Sequence, residues 1–118
     1  MSSDPKRLSA RARDFIRRAR RETEIAIATI TLWELAWLAQ NNRIVITGSV
    51  ESFIRETVAR VTLRPITPEI AALAVRLPKE FPGDPADRVI AATAMIEAAP
   101  LVTADAGILQ SKLVDTVW

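Results

Sequence analysis

Short apolar runs rich in β-branched residues alternate along this chain with segments of helical periodicity, and this alternation limits the possible folds most strongly. Residues 25–31 predict a buried strand that passes directly into a helical pattern through Leu32, Leu35 and Leu38. Residues 61–66 and 100–103 predict two further strands, each followed by a helix. Apolar strands separated by helices are typical of a parallel sheet covered on its faces. The sequence therefore predicts one α/β domain spanning residues 1–118.

The other predicted elements complete this alternation. Thr67 and Pro68 are a helix cap followed by proline at the first helical position. The segment from 78 to 85 contains three prolines and a glycine and predicts the one conspicuous loop. Residues 114–118 are a possible last strand. The remaining helices are predicted over residues 5–22, 49–60, 67–77, 86–98 and 105–112, with a connector at 44–46.

Composition excludes several kinds of chemistry. The chain contains no cysteine, histidine or tyrosine, so it has no disulfide framework, no zinc-thiolate or imidazole ligand and no histidine base. An apolar content of 49% with 25% charged residues is the balance of a globular protein. We see neither a signal peptide nor a membrane-spanning segment, and we expect a cytoplasmic protein with no membrane contact. Carboxylate chemistry remains.

Acidic residues occur where a strand or loop gives way to a helix: Glu34, Asp87 and Asp105, with Asp84 just before the second. Each has an ordinary structural explanation. Thr31 and Glu34 fit a capping box, Asp84 fits a helix cap before Pro85, and an acid in the first helical turn interacts favourably with the helix dipole. The alternative is that these acids converge, because strand ends meet in one crevice of an open α/β sheet.

Converging carboxylates repel one another unless a cation lies between them. Mg²⁺ suits such a site because it prefers oxygen ligands and can bridge carboxylates to a phosphate. A bound Mg²⁺ ion, with Mn²⁺ as a possible substitute, can polarise a phosphodiester and activate a water molecule. Phosphodiester hydrolysis is therefore one chemistry that these residues could carry.

Three ordered segments resemble the PIN domain, in particular the VapC toxins of bacterial toxin–antitoxin pairs. They are Thr31-Leu-Trp-Glu-Leu-Ala36, then Leu77-Pro78 with Asp84-Pro-Ala-Asp-Arg-Val-Ile-Ala-Ala92, and Leu101-Val-Thr-Ala-Asp105; Val117-Trp118 also resembles the end of that family. The resemblance implies a three-layer α/β/α fold with a central parallel sheet. It also implies a magnesium-dependent endoribonuclease that acts on RNA, forms a homodimer and is blocked by a cognate antitoxin protein.

By this resemblance, Glu34, Asp87 and Asp105 match the family's catalytic, metal-binding acids, and Thr103 matches a polar residue that supports the site. Asp84 is a secondary neighbour for which we favour the capping role. The family's pattern also begins with a central strand ending in an aspartate, which this sequence does not match. Asp4 does not replace it, because it falls in the loop before the first helix. We therefore expect an N-terminally incomplete domain.

That departure leaves two alternatives to the ribonuclease. One is an inactive PIN-domain remnant that binds antitoxin or nucleic acid and dimerises. The other is a structural α/β domain in which every acid is a helix cap, against which the three ordered motifs count.

The first predicted helix is strongly basic. Seven of the thirteen arginines fall between Arg7 and Arg21. This run is either a solvated face or a contact surface for RNA or the antitoxin. Trp33 and Trp37 lie four residues apart on one helix, and we expect them in the core or a dimer interface rather than stacked on bases. The candidate contact residues of the basic run are Arg7, Arg11, Arg17, Arg18 and Arg21.

Overall fold

Helices and strands alternate along the chain in the predicted order. The computed structural model describes residues 8–118. None of its helices is long and apolar enough to cross a membrane. In chain order the elements are α1 (Ala10–Glu22), β1 (Ala26–Ala28), α2 (Ile30–Gln40), α3 (Val50–Val58), β2 (Thr62–Arg64), α4 (Pro68–Arg76), α5 (Pro85–Ile96), β3 (Leu101–Val102), α6 (Ala106–Ser111) and β4 (Thr116–Val117).

The strands pair in parallel, which confirms the α/β prediction. β1 pairs with β2, with Ala26 opposite Thr62 and Ala28 opposite Arg64. β3 pairs with β4, with Leu101 opposite Thr116. Within the described residues these are two separate two-stranded pairs rather than one continuous sheet. The connection from β1 to β2 contains α2 and α3, and the connection from β3 to β4 contains α6, as is usual for parallel crossovers.

The first helix starts later than its periodicity predicted. Ser9 is its cap, with an extended backbone, and the Ser9 Oγ accepts a hydrogen bond from the Ala12 amide at 3.0 Å. The predicted start at residue 5 is therefore wrong, since Leu8 and Ser9 precede the helix. Asp4, Arg7 and the rest of residues 1–7 lie outside the part of the chain that the structure describes.

The core lies mainly between α4, α5 and α6. Thr67 caps α4 as predicted, because its Oγ accepts a hydrogen bond from the Ile70 amide at 3.2 Å. Phe81 is only 2% exposed, so the proline-rich loop contributes a large side chain to the interior. The loop before α5 is therefore anchored at its middle. The buried cluster around Phe81 also contains Leu77, Ala91, Ile108 and Val114, while Ile70, Ala74 and Ala92 form a second one.

The two tryptophans of α2 are not core residues. Trp33 is 64% exposed and Trp37 is 44% exposed, so the expectation of burial in the core of this chain is wrong. The Arg43 guanidinium lies 5.9 Å from the centre of the Trp37 ring, a cation–π distance. A contact with another molecule stays a prediction for this face.

Replacing Phe81 with alanine should lower the free energy of unfolding by about 3–5 kcal/mol, because it empties a buried site beside Leu77 and Ile108. Denaturant unfolding followed by circular dichroism measures this. Val75→Ala is the control, since Val75 is 81% exposed and its loss should cost less than about 0.5 kcal/mol. Similar unfolding midpoints for the two variants would contradict the packing described here.

Candidate metal centre

Glu34 lies one turn into α2, the helix that begins two residues after the end of β1. The helix begins at Ile30, with Thr29 in the cap position and no side-chain cap hydrogen bond. Thr31 is already inside the helix, so the predicted capping box of Thr31 and Glu34 is wrong. The strand ends three residues earlier than its apolar pattern suggested, because Thr29, Ile30 and Thr31 continue the β-branched run without being extended. Glu34 is partly buried and is not a helix cap.

Asp84 and Asp87 stand at the start of α5. One oxygen of Asp84 accepts hydrogen bonds from the Ala86 amide at 2.8 Å and the Asp87 amide at 3.3 Å. Pro85 occupies the first helical turn. The predicted cap is confirmed, and it fixes the position of the Asp84 carboxylate. Asp87 follows in the same turn and is partly buried.

Three carboxylates converge where α2 and α5 begin. One oxygen each of Glu34, Asp84 and Asp87 lies within 4.8 Å of the others. The cap uses Oδ1 of Asp84, which leaves its second oxygen available. Asp84, to which the sequence analysis gave only a supporting role, thus joins the candidate metal-binding residues. We call Glu34, Asp84 and Asp87 the acidic cluster.

Burial and mutual repulsion raise the pKa values of two members of the cluster. Burial is the largest cause of the raised pKa of Glu34, followed by the charges of Asp87 and Asp84. Burial likewise contributes most to the raised pKa of Asp87, followed by the charges of Asp84 and Asp105. Both effects disfavour the ionised form. A bound cation would remove this penalty.

Asp105 lies outside the acidic cluster but close enough for its charge to act on Asp87. It caps α6, with Oδ1 accepting a hydrogen bond from the Ile108 amide at 2.9 Å. The Oγ1 of Thr103 accepts a hydrogen bond from the Asp105 amide at 3.1 Å. Thr103 therefore holds the backbone of Asp105, while Asp105 borders the cluster from α6.

Gly107 is a residue of this region that sequence reasoning missed. A Cβ at this position would lie 2.9 Å from Cγ of Pro82 and 3.2 Å from Oδ1 of Asp105. Only glycine lets the proline-rich loop approach α6 this closely. A glycine inside a predicted helix is unfavourable for that helix, and this was the available signal of a close approach.

The acidic cluster fits a divalent cation that prefers oxygen ligands. Three carboxylates supply hard donors. Burial and neighbouring negative charges raise the pKa values of Glu34 and Asp87, and a cation would offset both effects. Such an ion could also bind the oxygens of a phosphate. The geometry therefore supports metal-assisted chemistry on a phosphate ester.

The arginines of α1 form a separate, exposed surface. Arg17 makes an ion pair with Asp14 at 3.9 Å, with both side chains about two-thirds exposed, so the pair contributes little to stability. Arg13 and Arg20, which were not among the candidates from sequence, share a groove with two that were. We call this the arginine groove; Arg13, Ile16, Arg17, Arg20 and Arg21 line it, whereas Arg11 and Arg18 are exposed outside it.

Comparison with known proteins agrees with the fold. The family described as PIN domain matches residues 3–112, and the chain belongs to the PIN-domain family. Ribonuclease VapC22 of Mycobacterium tuberculosis (strain ATCC 25618 / H37Rv) is 46% identical over 104 residues, which cover 88% of this chain and 78% of that protein. The prediction of a VapC-type PIN domain is confirmed.

A solved structure gives the same result for the backbone. One chain in the crystal structure of VapBC2 from Rickettsia felis superposes with a TM-score of 0.67. In that structure VapBC2 is bound to a DNA fragment from its promoter. The match covers 88% of this chain and 81% of that chain at 19% identity. At this identity the likeness concerns the fold alone.

Asp87→Asn should stabilise the metal-free protein at pH 7 by up to about 1 kcal/mol, because the variant removes a charge that burial and Asp84 disfavour. The raised pKa means that Asp87 contributes its stability when protonated, and this contribution is lost as the pH rises through the folded-state pKa. The advantage of the variant should therefore shrink towards pH 3, below the ordinary value of 3.8.

Denaturant unfolding in the presence of a chelator, at pH 7 and pH 3, measures this difference. Asp115→Asn is the matched control, since Asp115 is exposed and lies just before β4, at the amino end of that strand. If Asp87→Asn were less stable than the unaltered chain at pH 7, or if its advantage grew towards pH 3, the repulsion within the cluster would be refuted.

Proposed function

We propose that this protein is a metal-dependent endoribonuclease that hydrolyses RNA phosphodiester bonds, the toxin of a VapBC-type toxin–antitoxin pair. The observation that carries the proposal is the convergence of Glu34, Asp84 and Asp87 within 4.8 Å in a PIN-domain chain that is 46% identical to a ribonuclease. We take residues 1–118 as one PIN domain. The proposed catalytic and metal-binding acids are Glu34, Asp87 and Asp105, with Asp84 now added as a ligand.

The chain's own residues divide the work at this site. Mg²⁺, or Mn²⁺ in its place, would supply positive charge that offsets the phosphate and acidifies the attacking water. Glu34 and Asp87 would hold the ion, and their raised pKa values would return towards ordinary ones as it binds. Asp84 would offer its free oxygen from a position fixed by two helix amides.

Asp105 and Thr103 are proposed as the second side of the site. Asp105 is held at the start of α6 by its hydrogen bonds with the Ile108 amide and Thr103. Its carboxylate therefore has a fixed position near Asp87, from which it can orient water at the scissile phosphate. Water then attacks phosphorus, one P–O ester bond breaks, and the departing oxygen takes up a proton.

We also propose partners and a compartment. The related Rickettsia felis structure is a VapBC2 complex, which supports a cognate antitoxin as the partner of this chain. A homodimer would cover apolar surface such as the exposed Trp33 and Trp37. The absence of cysteine agrees with a cytoplasmic location.

Cleavage of a mixed RNA substrate by the 118-residue chain should require Mg²⁺ and stop on addition of a chelator. Asp87→Asn should lower the cleavage rate at least about 100-fold, because it removes a charged ligand from a small site. The control, Asp115→Asn, changes an exposed acid just before β4 and should cleave like the unaltered chain. A folded chain without chelator-sensitive cleavage would contradict the ribonuclease and favour an inactive PIN-domain remnant that binds antitoxin or nucleic acid.

The arginine groove is proposed as a contact for RNA phosphates, with Arg11 and Arg18 adding charge beside it. Arg20→Gln combined with Arg21→Gln should weaken RNA binding and reduce the slope of log K against log salt by about 1.4, because single strands lose about 0.7 per phosphate contact. Fluorescence anisotropy in an Asp87→Asn background measures binding without cleavage.

The matched control removes two exposed arginines elsewhere, with Arg60→Gln and Arg76→Gln. The net charge is then the same in both double variants. Equal loss of affinity in the two would show that α1 contributes only to net charge. Weakened antitoxin binding with unchanged RNA binding would assign the groove to the antitoxin instead.

A further inference from the structure

Among the described residues, the Arg88 side chain makes more hydrogen bonds to backbone carbonyl groups than any other side chain. Its Nε donates to the carbonyl of Pro82 at 3.1 Å. One terminal nitrogen donates to the carbonyls of Ala74 and Leu77 at 3.2 and 2.9 Å. The other donates to the carbonyls of Pro78 and Phe81 at 3.0 and 3.3 Å. One guanidinium on α5 thus joins the end of α4 to three carbonyls of the proline-rich loop.

This arrangement satisfies carbonyl groups that have few other partners. The last carbonyls of a helix lack partners within it, and those of Ala74 and Leu77 stand at the end of α4. A positive charge at this end also interacts favourably with the helix dipole. The guanidinium carbon lies 5.9 Å from the centre of the Phe81 ring, a cation–π distance. Arginine alone has five N–H donors in a rigid plane.

The acidic cluster lies at the other end of the same loop. Asp84 ends the loop, and Asp87 precedes Arg88 directly. Pro78, Pro82 and Pro85 have no amide hydrogen, so the loop can form few backbone hydrogen bonds of its own; Phe81 to Pro78 is one. Arg88 therefore takes the place of a backbone ladder in setting the path by which Asp84 reaches the cluster.

We propose that Arg88 is the positioning residue of the acidic cluster: by binding the carbonyls of the proline-rich loop it sets the distance between Asp84 and the carboxylates of Glu34 and Asp87. The inference rests on the proposed function for its ion, and on the hydrogen bonds alone for the geometry. Arg88 does not touch the ion or the substrate. Lysine at this position has the charge but cannot reach carbonyls on several sides at once.

The test compares Arg88→Lys with the unaltered chain in two measurements. Titration with Mg²⁺ alone, followed by calorimetry, should show an affinity at least about 10-fold weaker, the cost of losing a residue that orients ligands. Hydrogen exchange should be at least about 10-fold faster at the amides of Ala86 and Asp87, which donate to Asp84.

Arg64→Lys is the matched control. Arg64 is also a partly buried arginine, with ion pairs to Glu24 at 2.6 Å and Glu97 at 3.1 Å, but it does not contact the loop. Its loss should lower stability without changing either readout at the cluster. Arg88→Gln is a second variant, which keeps two N–H donors without the charge and should shift both readouts in the same direction as Arg88→Lys.

Three outcomes are distinct. Weaker Mg²⁺ binding and faster exchange in both Arg88 variants, but not in Arg64→Lys, support the inference. Equal effects in Arg64→Lys and the Arg88 variants overturn it and leave Arg88 as a general stabiliser. If the unaltered chain binds no Mg²⁺ while the Ala86 and Asp87 amides still exchange faster in Arg88→Lys, the proposed function fails and the positioning role stands.

Discussion

The repulsion between carboxylates held within 4.8 Å is the constraint on which this structure depends. Left to themselves, Glu34, Asp84 and Asp87 would separate into solvent, where their charges are screened. The fold prevents this by placing them at the starts of α2 and α5, which pack together over β1. Bringing like charges together lowers the stability of the fold, and the resulting negative potential favours a bound cation. The rest of the molecule can be understood as the frame that maintains this contact.

The two explanations that the sequence offered for the acids are compatible. Asp84 and Asp105 are helix caps, each with one oxygen on backbone amides. Capping leaves a second oxygen on the same carboxylate and removes its rotational freedom, which prepares it for a ligand. Only Glu34 and Asp87 are free of such bonds to a helix start, and theirs are the raised pKa values. In this site, the hydrogen bonds by which Asp84 and Asp105 cap their helices also hold their carboxylates in position.

Features that depend on neighbouring residues were predictable from the sequence, whereas features that depend on the course of the backbone through a loop were not. The order of elements and the caps at Thr67 and Asp84 depend on neighbouring residues, and the structure has them. Asp84 belongs to the acidic cluster because of the conformation of the proline-rich loop, and no sequence pattern specifies that conformation. The expectation that Trp33 is buried in the core was wrong for a similar reason. Periodicity shows which residues share a helix face, but it does not show what covers that face. Arg88 was visible only as part of a motif, since its partners are carbonyl groups, which every residue has.

The short range of the contacts made by Arg88 has a consequence for the order of folding. Its acceptors lie between 6 and 14 residues away, whereas β1 and β2 must bring Ala26 to Thr62. Closing a short loop loses less chain entropy, so near contacts form faster than distant ones. The unit of α4, loop and α5 should therefore assemble first, carrying Asp84 and Asp87, and Glu34 should arrive with β1 afterwards. The complete acidic cluster would then exist only in the finished fold, and a partly folded chain emerging from the ribosome would have no assembled site with which to cut RNA.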